Sequence, residues 1–102
     1  MKLVKVDHLL ALVKDSLQSG EYVFTGHAAE RLQQREVSRL EVKQALTSGF
    51  HEKKKDMYDD NYKCWNYSIR GKTVDNRDLR IIVSFDSDGM LIITVIDIKR
   101  RI

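Results

Sequence analysis

Apolar residues recur at helical spacing through the first half of the chain and alternate with polar ones through much of the second. Leu9, Leu10, Val13 and Leu17 fall on one helical stripe. Asp7 is placed to cap that helix, and Gly20 to end it. Glu21 to Phe24 reads as a short extended link. Thr25 or Gly26 can cap a second helix, from about His27 to Arg35, with Ala28 and Leu32 facing inward. Ser38-x-x-Glu41 is a capping box, and Val37 is set to staple onto Val42. The helix it opens carries Val42, Ala45 and Leu46 inward and stops at Gly49.

After Gly49 the period changes. Phe50 to Tyr58 reads as a lysine-rich strand, and Asp59-Asp60-Asn61 as a turn. Tyr62 to Arg70 alternates, with Trp65, Tyr67 and Ile69 on one face and Cys64, Asn66, Ser68 and Arg70 on the other. A loop follows from Gly71 to Asp78, with Asp75-Asn76 at its tip. Leu79 to Asp86 and Met90 to Ile98 are strands joined by Ser87-Asp88-Gly89. Both are apolar on two faces, which predicts central positions in a sheet. Short turns imply antiparallel pairing. The expected fold is α+β, with N-terminal helices packed on a four-stranded twisted antiparallel sheet.

Composition narrows this reading. A chain of 102 residues accommodates one core, and 42% hydrophobic residues are enough to build it. The apolar run Met90 to Ile96 is too short for a membrane helix. Lys2 and Lys5 alternate with Leu3, Val4 and Val6, which is not a leader pattern. Cys64 is the single cysteine, so no internal disulfide is possible and a reducing, cytoplasmic location is expected. No zinc-spaced His/Cys cluster and no phosphate loop occurs, so neither metal nor cofactor is expected. The net charge is +3, with cations in short patches at Lys53-Lys54-Lys55, Lys63 to Lys72 and Lys99-Arg100-Arg101. Such patches are compatible with nucleic acid.

Three groups could carry chemistry. His27, Arg31 and Arg35 recur every fourth residue along one helix stripe. A histidine at a helix start is biased toward the neutral, proton-accepting form, and two guanidiniums beside it could hold a phosphate. An ordinary solvated helix face has the same spacing. Asn66, Ser68 and Arg70 would form a polar, cationic floor with Arg80, Ser84 and Thr94 if the strand faces coincide. The solvent side of a half-covered sheet looks alike. The run His51 to Lys55, with Tyr58, interleaves basic residues with an aromatic, which suits an RNA backbone with a stacked base; a lysine-guarded edge strand accounts better for Lys54 and equally for Lys53 and Lys55.

The stretch Phe24-Thr25-Gly26-His27-Ala28-x-x-Arg31-x-x-x-Arg35-x-Val37-Ser38 resembles the signature of a family of small bacterial domains with a His-Ala-x-x-Arg helix. The resemblance spans about residues 22 to 98. That family is grouped with the RelE-like toxin superfamily, which includes BrnT-type and MqsR-type mRNA interferases. A more distant likeness to the MqsR type lies in Lys55-x-x-Tyr58 and Trp65-Asn66. There the resemblance makes Lys53 or Lys55, and Asn66, the counterparts of a lysine and a glutamine. The tyrosine such toxins carry on the next strand has no counterpart from Asp78 to Ile81.

The resemblance implies a metal-independent endoribonuclease of toxin–antitoxin type. His27 would act as base or acid, and Arg31, Arg35 and Arg70 would neutralise charge on the phosphorane. Lys53, Lys55, Asn66, Arg80 and Thr94 would bind substrate. The expected partners are RNA and a small acidic antitoxin. The other reading is a non-catalytic module of the same fold that binds RNA or protein.

Overall fold

The computed structural model describes residues 4–99. Lys2, Leu3, Arg100 and Arg101, which entered the leader and charge readings, lie outside the described residues. Helix α1 (Leu9–Ser19) is followed by strand β1 (Tyr22–Phe24), then α2 (Gly26–Arg35) and α3 (Arg39–Ser48). Strand β2 (Phe50–His51), a 3-10 turn (Lys53–Lys55), β3 (Met57–Asp59), β4 (Cys64–Lys72), β5 (Asp78–Asp86) and β6 (Gly89–Asp97) complete it.

Local signals placed most helix ends. Thr25 caps α2 by accepting from Ala28 N–H, and the Ser38/Glu41 capping box forms in full. Gly20 ends α1 in the left-handed region, φ 78°, where its N–H bonds the Ser16 carbonyl. Asp7 does not cap α1. His8 holds the cap position in a left-handed conformation and makes no side-chain capping bond.

The sheet is α+β in class as expected, but it has six strands rather than four and is mixed rather than antiparallel. The order is β1-β6-β5-β4-β2, with β3 also on β4. The expected link, residues 21–24, is an edge strand parallel to β6, pairing Tyr22 with Met90 and Phe24 with Ile92. The expected strand Phe50 to Tyr58 is two strands on one edge of β4, interrupted by the 3-10 turn. Consecutive lysines with Glu52 and Asp56 around them break alternation there. The inner positions of β5 and β6 are as their two-sided apolar pattern predicted.

All three helices cover one face. Val13, Ala28, Leu32, Val42, Ala45 and Leu46 meet Ile69, Ile81, Val83, Ile92 and Val95 in a single buried cluster. The opposite face carries no helix among the described residues. There Arg70 stands beside Arg80, and Ile82 stands between Ser68 and Thr94. A bulge at Ile82/Val83 leaves Ile93 without a cross-strand partner. Its carbonyl accepts from Thr25 Oγ1, which ties the start of α2 to the sheet.

Candidate functional site

The polar face expected from alternation exists, but its cations are neutralised from within. Arg70 donates to both oxygens of Asp78, Nε to Oδ1 at 3.0 Å and Nη2 to Oδ2 at 2.6 Å. Arg80 grips Glu52 in the same two-bond fashion, at 2.7 and 3.1 Å. Ser68 Oγ donates to Glu52 Oε1 at 2.8 Å. Cations and carboxylates therefore alternate along this face, and the cationic floor expected from Arg70 and Arg80 is a charge-balanced ladder. Glu52 was unreadable as a partner because it lies 28 residues from Arg80 and outside any strand.

These pairs shift titration. The Arg80 hydrogen bonds, helped by Ser68 and the nearby Arg70, hold the Glu52 carboxyl below its ordinary 4.5 against the opposing effect of burial. Arg70 holds Asp78 below 3.8 in the same way. The Ser38 backbone N–H, then Arg77, lower Glu41 from 4.5. Folded, all three bind protons less readily than in the unfolded chain. Their stabilisation is complete above the unfolded values and is lost as pH falls through the folded ones. The thermal midpoint is expected to fall as pH drops below about 4.5. Calorimetry across a pH series checks this, and a midpoint unchanged down to about pH 3 would refute it.

The helix stripe does not join that face. His27 is exposed, and α2 packs its Ala28 and Leu32 on the helix-covered side of the sheet. Arg31 bonds Gln34 on its own helix. Arg35 lies two further turns from His27, about 12 Å along the axis. It reaches a shallow pocket of about 440 Å³ at the end of the sheet, shared with Glu36, Asn76, Arg77, Asp78, Asp97 and Lys99. Arg70 lines the adjoining pocket with Lys72, Asp78 and Lys99. Arg35 and Arg70 thus approach one end of the domain, while His27 stands at the other end of α2. Thr94 is half-buried on the open face, and Asn66 lines a groove on that face nearer the β5–β6 turn.

Arg77 organises the basic end. Its guanidinium donates to the Arg35 and Glu36 carbonyls at 3.0 and 2.8 Å, and to Glu41 and Asp97. It caps the open carbonyls at the end of α2 and fastens that end to β6. Arg35, Lys72 and Lys99 make no ion pair within 4 Å among the described residues, while Lys72 and Lys99 lie near enough to Asp78 to help Arg70 lower it.

A second constellation escaped sequence reading. Where the 3-10 turn interrupts pairing with β4, the fully buried Asp56 carboxylate accepts the Ser68 N–H at 3.0 Å. It also takes His51 Nε2 at 2.7 Å and Lys5 Nζ at 2.9 Å. His51 packs edge-on against Tyr67, whose hydroxyl accepts the Val6 N–H. His51 and Lys53 line a cavity of about 660 Å³ with residues 4–11. A buried carboxylate fixing one imidazole nitrogen is the arrangement that orients a histidine for proton transfer. The five-residue spacing of His51 and Asp56 across a lysine run was the only sequence signal. Lys53, Lys54 and Lys55 are exposed on the turn.

Residues 24–97 match a family described as a domain of unknown function, DUF4258. The chain belongs to that family. No curated protein and no solved structure matches the chain. The DUF4258 span takes in α2, α3 and strands β2 to β6, with His27, His51, Asp56, Arg70 and Arg80. Lys5 and Lys99 join their sites from outside it.

Proposed function

We propose that this DUF4258 domain is an RNA-binding module of RelE-like type, whose phosphate contacts lie at the Arg77 end of the sheet. The observation that carries this reading is the set of three cations, Arg35, Lys72 and Lys99, that stand there without ion-pair partners among the described residues. Phosphates contribute most of the affinity for unstructured RNA, and cations not held in an ion pair are the ones free to meet them. Arg70 and Arg80 are less suited, because each must first leave a carboxylate.

Ribonuclease action of the toxin–antitoxin type is the second reading. It is favoured by the His51–Asp56 pair, the better-oriented acid–base group in the fold. His27, which the resemblance points to, has no orienting carboxylate among the described residues. In either reading a cytoplasmic setting and a small acidic antitoxin remain as partners of the same proposal.

Fluorescence anisotropy with a labelled 12-nucleotide RNA tests the module. The triple variant Arg35→Ala/Lys72→Ala/Lys99→Ala is expected to weaken binding and flatten the log–log salt slope by about 2, at roughly 0.7 per lost contact. No binding by the wild type in low salt, or an unchanged slope in the variant, would overturn it. Resolving the same RNA on a gel tests the second reading: cleavage by the wild type that His51→Gln abolishes and His27→Ala leaves intact would establish nuclease action.

A further inference from the structure

At the far end of the open face from Arg77 lies a groove of about 680 Å³ that the RNA reading does not use. Leu91 and Ile93 supply apolar wall, and the bulge in β6 is what turns Ile93 out of the strand pairing. Tyr62 stands at the lip, 81% exposed. Within the groove, Asn66 Oδ1 is buried and receives no hydrogen bond from the protein. A buried acceptor without a donor costs free energy, so a ligand that brings an N–H is rewarded there.

The rest of the polar lining is acceptor-rich. Asp59 uses Oδ1 for the Asn61 and Tyr62 N–H groups, and Asp86 uses Oδ1 for that of Asp88. Neither carboxylate is in an ion pair among the described residues, so each has Oδ2 to offer. Ser84 Oγ spends its proton on the Trp65 carbonyl and is left as an acceptor. Lys63 is the single cation lining the groove.

We propose that this groove binds an organic cation: a primary ammonium or guanidinium on an apolar stem. The stem lies along Leu91 and Ile93, the N–H groups satisfy Asn66 Oδ1 and the two carboxylates, and Tyr62 offers a ring face to the charge. The same lining disfavours RNA, because phosphates would meet Asp59 and Asp86. The site is therefore independent of the RNA reading and stands or falls without it.

The test is a titration followed by ¹H–¹⁵N chemical-shift mapping on the full chain. The probes are blocked arginine amide, blocked citrulline amide as its uncharged isostere, and spermidine. Arginine or spermidine is expected to move the amides of Asn66, Ser84 and Ile93, with citrulline at least about tenfold weaker. Tighter binding of arginine assigns the site to a protein side chain, and tighter binding of spermidine to a free amine. Asp59→Asn/Asp86→Asn keeps both turn-forming side-chain carbonyls and should cost about tenfold in affinity while leaving the spectrum folded. Equal binding of citrulline, shifts confined to other surfaces, or unchanged affinity in the double variant would each overturn the proposal.

Discussion

Gly71→Ala costs the domain at least about 3 kcal/mol or prevents folding, the upper end for overpacking a core. An alanine Cβ at this position would lie 1.9 Å from the Ala45 carbonyl oxygen and 2.9 Å from Gly49 Cα. All of these are backbone atoms, so no rotamer change relieves the clash. β4 would have to move away from α3, and Ala45 and Leu46, both fully buried, would lose their seat on the sheet. Gly26→Ala is the matched control, because nothing lies within 4 Å of a Cβ there. It is expected to be neutral or to stabilise α2 by up to about 1 kcal/mol. Urea unfolding of the two variants decides the matter: a Gly71→Ala midpoint equal to wild type would show that the sheet and α3 are not in this close contact.

Asp56→Ala is the second large effect, at about 3 kcal/mol. The loss is larger than that of a surface ion pair because the carboxylate is fully buried and serves three donors at once. Its removal strands the Ser68 N–H in the gap between β2 and β3, where no strand residue can replace it. Lys5 is 38% exposed and can turn to water, so Lys5→Met should cost less than about 1 kcal/mol. Asp56→Asn should fall between the two, since an amide oxygen still accepts from Ser68 but carries no charge for Lys5. An Asp56→Ala loss no greater than that of Lys5→Met would reduce the pair to a surface contact. The ring resonances of His51 provide an independent reading, because loss of Asp56 frees Nε2 and should broaden or move them even if stability holds.

The two effects fall on different kinds of information. Gly71 reads in the sequence as the first residue of a loop, yet it lies inside β4. Nothing local marks it, because its requirement comes from Ala45, 26 positions earlier, pressing on it. Asp56 reads as one more charge in a lysine-rich stretch. Its importance comes from Ser68, one of two β4 residues, with Tyr67, that lack a strand partner on that edge.

What the chain determined by itself was set within a turn or two, the cap of α1 excepted, where His8 and not Asp7 holds the position. Helical periodicity, the Thr25 cap, the Ser38/Glu41 box and the alternation of Trp65, Tyr67 and Ile69 are short-range, and each is where it was expected. Alternation also predicted which strand residues share the open face, since a period of two fixes the face once the register is known. Tertiary structure alone decided the rest. The parallel pairing of β1 with β6 joins residues 68 positions apart in a three-residue strand too short to show a pattern. The partners of Arg70, Arg77 and Arg80 are carboxylates whose positions follow from strand register and the 3-10 turn, so a cationic floor could not be told from a balanced one. The separation of His27 from Arg70 arises because α2 folds onto the covered side of the sheet, a choice made by Ala28 and Leu32 finding the core. Charge in a sequence is additive, but charge at a site depends on which opposite charge the fold brings within hydrogen-bonding distance.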